Sequence, residues 1–166
     1  MMQKRLYFIC PTDHLECIIN DTFGHSNYYY TSLGNSVVFD QATTQRIRRL
    51  IKKHNIKDIS FVLSNNNPIL LNALGDKDFS EIKGLKKFYT EITTQKKRLE
   101  VSWQSYNHRF TIFSYYLNKK IRELQVGLNC LSIDQINLSG KIYNAQKNSF
   151  HDIYPDLICR ECFSLN

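Results

Sequence analysis

Residues 4–14 read KRLYFICPTDH, and they predict the first buried strand of a sheet. The apolar run 6–10 is rich in aromatic and β-branched side chains, and Pro11 ends it because proline cannot donate to a sheet ladder. Side chains that can take part in catalysis or bind a metal lie at the end of this run and just after it, namely Cys10, Asp13, His14, Glu16 and Cys17. Ligands bind at the carboxyl ends of strands in an open α/β sheet, so we expect a candidate site here.

Size and composition favour one domain in a reducing compartment. The chain has 166 residues, of which 42% are hydrophobic, and this length suits a single core. No apolar run approaches the roughly 20 residues that cross a bilayer, and the first residues do not form a signal peptide. An odd number of cysteines, five, fits free thiols better than a disulfide framework. We therefore expect a cytoplasmic protein with no membrane segment.

The middle of the chain predicts a strand-helix-strand unit. Residues 27–39, NYYYTSLGNSVVF, predict a second strand, which follows the first without a helix, and then a turn at residues 33–35. Asp40 can cap a helix that ends at Asn55, and residues 58–63, DISFVL, predict a third strand. Such crossovers are right-handed in nearly all proteins, so the loops after the first and third strands should open on one sheet edge.

The second half predicts helices and a return to the sheet. Asn67 and Pro68 begin a short helix, and apolar stripes at helical spacing mark helices over 85–99 and 103–124. Residues 126–133 and 140–143 predict a strand pair that resembles a hairpin around the Ser139-Gly140 turn. The fold class is therefore α/β, with a mostly parallel sheet of four or five strands flanked by helices. One domain is expected over 1–145, and a tail over 146–166.

In the order of these stretches the chain resembles the β-class carbonic anhydrases, particularly their short form. That family has a Cys-x-Asp-x-Arg motif, an Ala-Gly-Asn turn, a Gly-His-x-x-Cys loop and a closing strand pair, in this order. Here the corresponding stretches are FICPTDH at 8–14, SLGN at 32–35, VLSNNNP at 62–68 and VGLNCLSIDQINLSGKIY at 126–143. The resemblance implies a carbonic anhydrase-like fold across most of the chain.

The same resemblance implies that the metal site is degenerate. The family holds zinc with two cysteines and one histidine and leaves the fourth position to water. Cys10 falls at the first ligand position, whereas Ser64 falls at the histidine and Asn67 at the second cysteine. A serine hydroxyl and an asparagine amide do not replace soft ligands. We therefore expect no metal cofactor.

The pair that orients the water in the family is also altered. Asp13 comes one residue later than the motif requires, and His14 stands in place of the arginine. An imidazole cannot make the forked double hydrogen bond of a guanidinium. The leading hypothesis is a catalytically inactive carbonic anhydrase-like protein, a binding or interaction module that forms a homodimer through the apolar stripes of residues 85–124.

Two chemical alternatives stay open. The first is an enzyme with altered chemistry in the old pocket, which comprises Cys10, Asp13, His14, Ser64 and Asn67, with a thiol-imidazole pair as one possible nucleophile. The second is a zinc protein that draws its ligands from Cys10, His14, Cys17, Cys159 and Cys162, since C-x-x-C in the tail is metal-ligand spacing.

The third alternative is a basic, nucleic-acid-associated protein. The net charge of +7 attracts polyanions, and 13% of the residues are aromatic and can stack on bases. The helix over 41–54 carries much of this positive charge. A solvated helix face and an aromatic core explain the same composition without any ligand.

Overall fold

The computed structural model describes residues 3–24, 26–75, 81–82, 84–99, 106–128 and 136–155. It contains one five-stranded sheet in the order β2-β1-β3-β4-β5. The strands are β1 (Arg5–Ile9), β2 (Asn27–Thr31), β3 (Asp58–Ser64), β4 (Asn137–Asn144) and β5 (Ser149–Asp152). All pairings are parallel except β4 with β5. The predicted α/β class and the mostly parallel sheet are confirmed.

Helices cover both faces of this sheet unequally. They are α1 (Glu16–Phe23), α2 (Gln41–His54), α3 (Pro68–Leu74), α4 (Leu85–Arg98) and α5 (Tyr106–Leu128). Alternate residues of β1 explain the two layers, because Leu6, Phe8 and Cys10 face one hydrophobic cluster and Tyr7 and Ile9 face another. The first cluster packs against α2, α3, α4 and α5, and the second packs against α1.

The helix α1 corrects the expectation that β1 and β2 follow each other without a helix. These strands are parallel, with Arg5 opposite Asn27, and parallel neighbours need a crossover. The apolar residues Leu15 and Ile19 are spaced one helical turn apart and both are fully buried under the sheet. Helix α1 is only eight residues long, so this signal is short and easily missed.

Both predicted ends of α2 are confirmed. The side chain of Asp40 accepts a hydrogen bond from the backbone N–H of Thr43 at 2.7 Å. Asn55 ends the helix in the left-handed region, with φ of +51°. In the same way, Asn67 caps α3 by accepting from the backbone N–H of Leu70 at 2.9 Å, and Pro68 follows it.

The strand pair at the carboxyl end differs from the prediction. Helix α5 continues to Leu128, so residues 126–128 are helical, and the antiparallel pair is β4 with β5. The strand β5 lies within residues 146–166, the stretch expected to be a tail, and it pairs with β4 from Lys141 to Asn144. Residues 129–135, which contain Cys130, and residues 156–166, which contain Cys159 and Cys162, lie outside the described part.

The apolar stripes of α4 and α5 are also used differently than expected. Phe88, Ile92, Phe113 and Leu117 are all at most 3% exposed, and they belong to the core of the same chain. The described residues of these stripes therefore do not provide the exposed apolar face on which the expected dimer contact depends. None of the helices in the described ranges combines the length and apolar character that a bilayer-spanning segment needs.

Candidate functional site

The chemically rich loops meet where β1 and β3 end. The register pairs Ile9 with Val62, so Cys10, just after β1, and Ser64, the last residue of β3, lie at the same sheet edge. The carboxylate of Asp13 reaches across this edge to the backbone of Ser64. The sequence prediction that these two loops meet is therefore confirmed.

Asp13 ties the end of β1 to the end of β3. Its Oδ2 accepts a hydrogen bond from the backbone N–H of Ser64 at 2.8 Å, and its Oδ1 accepts one from Nδ2 of Asn67 at 2.8 Å. The Oδ1 of Asn67 accepts a hydrogen bond from the backbone N–H of Leu70, and this bond caps α3. The first turn of α3 is thus connected through one amide to the carboxylate after β1.

The environment of Asp13 makes its carboxyl group unusually basic. Burial raises the pKa of Asp13 to about 6, because a charged carboxylate loses hydration there. The hydrogen bonds from Ser64 and Asn67, and the nearby His14, act in the opposite direction and lower the pKa, but burial dominates.

Cys10 is buried and bonded within the protein. Its Sγ accepts a hydrogen bond from the backbone N–H of Gly34 at 3.1 Å and lies 3.0 Å from Oγ1 of Thr12. His14 lies in the left-handed region with φ of +51°, and its side chain is exposed. The buried thiol and the exposed imidazole therefore face different surroundings, which does not favour Cys10 and His14 as a nucleophile pair, and His25, the other candidate imidazole, lies outside the described residues.

Asn35 completes this network, and its side chain had no role in the sequence prediction. It is fully buried, and its Nδ2 donates to the backbone oxygens of Phe8 at 3.2 Å and of Val62 at 2.9 Å. One amide thereby holds β1 and β3 together just before both strands end. The only signal in the sequence is an asparagine after glycine in a turn, and this predicts backbone conformation rather than a buried cross-strand bond.

These residues do not fit the zinc site that the resemblance implies. Of the three corresponding positions, Cys10 alone carries a soft donor. The Oγ of Ser64 accepts from the backbone N–H of Asn66 at 3.2 Å, and both ends of the Asn67 amide are already bonded. Among the described residues, His, Cys, Asp and Glu side chains do not form any group of three that would hold a metal.

The alternative ligand set is only partly within the described residues. Cys10 is buried at the end of β1, whereas Cys17 is exposed on α1. Together with His14 these residues do not converge on one point. The remaining members, Cys159 and Cys162, lie outside the described ranges.

Comparisons with known proteins give structural matches alone. The sequence matches no family model and no curated protein. The β-carbonic anhydrase CafD of the filamentous fungus Aspergillus fumigatus superposes with a TM-score of 0.72 at 16% identity, covering 92% of this chain and 90% of that one.

Two further enzymes of this class match over most of the chain. A tetrameric β-carbonic anhydrase from the ascomycete Sordaria macrospora has a TM-score of 0.70 at 14% identity, with 96% of this chain and 82% of that chain covered. The Coccomyxa β-carbonic anhydrase, solved with acetazolamide, has a TM-score of 0.68 at 10% identity, with 92% and 72% covered. At identities this low, the superpositions establish a shared fold alone. The chain therefore has the fold of the β-carbonic anhydrases, as its sequence motifs predicted.

Proposed function

We propose that this chain is a non-catalytic relative of the β-carbonic anhydrases that acts as a binding module and forms a homodimer. In this proposal the former metal pocket has become a structural element. Internal hydrogen bonds connect the strand ends where the relatives would place a metal and its water.

The observation that carries the proposal is the position of Asp13. Both of its carboxylate oxygens are occupied, one by the backbone of Ser64 and one by the amide of Asn67. A carboxylate bonded in this way joins the two positions that correspond to the second and third ligands. The thiol at the first position is occupied too, because Cys10 accepts from Gly34.

The chemistry of these donors supports the loss of hydration activity. Carbonic anhydrases of this kind need a metal-bound water whose pKa is near 7. One buried thiol with a hydroxyl and an amide is a poor donor set for zinc, which prefers thiolates, imidazoles and carboxylates. The exposed His14, at the position of the family's arginine, is also unable to hold Asp13 in a forked double hydrogen bond.

Self-association rests on a different argument. The Sordaria macrospora enzyme with the same fold is tetrameric. Closed, symmetric assemblies are the most common oligomers of soluble proteins, and twofold dimers are the most frequent among them. A dimer is therefore the simplest assembly for this chain.

Metal content and restored ligands test the loss of the site. We expect the purified protein to contain no stoichiometric metal and to leave CO2 hydration at its uncatalysed rate. The double variant Ser64→His with Asn67→Cys should bind zinc much more tightly than either single variant. Only the double variant adds one histidine and a second cysteine to Cys10 and so completes a set of three ligands.

The single variants are the matched controls, and circular dichroism verifies that each remains folded. Zinc at one equivalent in the unaltered protein, together with CO2 hydration that a chelator abolishes, would overturn the proposal. Zinc binding by the double variant that survives Cys10→Ser would show that Cys10 is not the first ligand.

A further inference from the structure

The positive charge of this molecule is concentrated on one helix. Residues 41–57, which form α2 and the turn after it, contain six of the 22 lysines and arginines and none of the 15 acidic residues. The rest of the chain holds 16 basic and 15 acidic residues and is nearly neutral. The net charge of +7 is thus mainly a property of this segment.

The cations of α2 point away from the core. Arg46, Arg49, Lys52 and Lys53 are all exposed. At 3.6 residues per turn they span an arc of about 120°, and this arc is centred opposite the buried side chains of the same helix. Those buried residues are Thr44, Ile47 and Ile51.

These cations are not compensated by neighbouring carboxylates in the described part of the chain. None of the four forms an ion pair with a described residue, and the interaction of Arg46 with Asp40 is a coulombic one that lowers the pKa of Asp40. Cations of α4 and α5 differ, since Lys87 and Lys119 pair with Glu91. The pair Arg49 and Lys53, at i and i+4, instead places like charges side by side, which destabilises an isolated helix.

The last turn of a helix favours cations through its dipole, which accounts for Lys52 and Lys53. It does not account for Arg46 and Arg49, which lie in the middle of α2. The exposed Lys57 and Lys4 extend the positive surface beyond the helix end. Desolvation, followed by the positive charges of Lys4 and Lys53, lowers the pKa of the intervening His54.

Contacts of His54 and Arg48 position the helix with this face outward. The hydroxyl of Tyr28 lies 2.8 Å from Nδ1 of His54, and the two rings stack at 4.3 Å. Along its inner side, the guanidinium of Arg48 donates to the backbone oxygen of Gly127 on α5. A helix whose backbone is positioned before binding loses little backbone freedom when a ligand arrives.

We infer that the outer face of α2 binds the phosphate backbone of a nucleic acid. The exposed cations of α2 follow one line, since Arg46, Arg49 and Lys53 stand at i, i+3 and i+7 over about 10 Å of helix. A linear array of cations suits a chain of regularly spaced phosphates. The apolar face of α2 is buried in the core, so the helix cannot insert into a membrane as an amphipathic anchor does.

Binding of a fluorescently labelled 20-nucleotide DNA, single-stranded and duplex, tests this inference by anisotropy across a potassium chloride series. The triple variant Arg46→Gln, Arg49→Gln, Lys53→Gln should lose about tenfold or more in affinity at low salt, and the slope of log K against log salt should fall by about 2 to 3. The matched control, Lys86→Gln, Lys97→Gln, Lys147→Gln, removes the same charge from exposed lysines elsewhere.

The control variant should retain the affinity and the slope of the unaltered protein, and thermal unfolding verifies that both variants are folded. Equal losses in the two triple variants would overturn the inference, because they would reflect net charge alone. It would also be overturned if poly-glutamate or vesicles containing phosphatidylserine competed as well as unlabelled DNA at equal charge, or if no DNA bound at low salt.

Discussion

The raised pKa of Asp13 predicts how this carboxylate affects stability. Its folded-state pKa of about 6 lies above the value of about 3.9 for an unfolded chain. Between these values the folded protein binds more protons than the unfolded one, so the contribution of Asp13 to stability falls as pH rises from about 4 to 6. Below pH 4 the carboxyl group is protonated in both states and its burial does not lower stability. Above pH 6 it is charged in both states, and the full cost of burying the charge is present.

The carboxyl ¹³C resonance of Asp13 gives the direct measurement, with an expected midpoint near pH 6. The variant Asp13→Asn should remove this component from the pH dependence of the free energy of unfolding. A midpoint close to 4 would show that the bonds from Ser64 and Asn67 outweigh burial.

Gly34 is a second residue whose backbone supports the site. Its φ is +58°, and a Cβ there would lie 3.1 Å from the ring of Phe88 and 3.2 Å from Cγ2 of Ile69. We expect Gly34→Ala to lower the free energy of unfolding by about 2 kcal/mol or more, since left-handed strain and crowding add.

The control for Gly34→Ala is Asn55→Ala, which places alanine at a similar φ of +51° on the exposed end of α2. It should cost only the conformational part, about 1 kcal/mol. Urea unfolding of both variants measures the difference. Equal losses would mean that Phe88 and Ile69 move aside without cost.

At this scale the sequence predicts backbone roles better than side-chain partners. Asp13 and Ser64 could be brought together because strand ends and a crossover obey general rules. The hydrogen bonds of Asn35 to Phe8 and Val62 could not be predicted, because they depend on how closely the turn at residues 33–35 packs against β1 and β3. The sequence pattern alone does not predict that packing distance.

Among the elements, α5 shows how burial changes the value of an ion pair. Lys120 is nearly buried, and its Nζ donates to the backbone oxygen of Val37 at 3.1 Å and to Glu123 at 2.9 Å. Its neighbour Lys119 is about half exposed and pairs with Glu91 at 2.8 Å. Both are paired, but only Lys120 joins α5 to the segment before α2.

We expect Lys120→Met to lower the free energy of unfolding by about 1 to 3 kcal/mol, because Val37 would lose its donor in a buried place. Lys119→Met, the adjacent control, should change it by less than about 1 kcal/mol, because Lys119 is about half exposed and Glu91 keeps Lys87 as a partner. Chemical denaturation of the two variants checks the ranking, and an equal effect would contradict it.

The elements also show which patterns the sequence carries. Helix α2 was predicted to its ends because Asp40 and Asn55 are local signals. Helix α1 was missed since one turn of apolar spacing is too short to distinguish from a loop. Strand β5 lies in a stretch that the sequence predicts as a tail, because its pairing with β4 depends on a partner rather than on its own four residues.

For the whole molecule, the charge of α2 restricts how two copies can meet. A twofold interface brings the same patch of each copy together. An interface centred on α2 would oppose its cations with those of the partner copy, which is unfavourable at low ionic strength. The proposed dimer should therefore form elsewhere and leave both basic faces free.

Sedimentation velocity tests this arrangement at low and high salt. We expect a species of at least twice the mass of one chain at both salt concentrations, with the same association for the unaltered protein and for Arg46→Gln, Arg49→Gln, Lys53→Gln. A monomer at every practical concentration would reject self-association. Tighter assembly of the triple variant, or assembly of the unaltered protein only at high salt, would place α2 at the contact, since removing or screening repulsion would then favour the dimer.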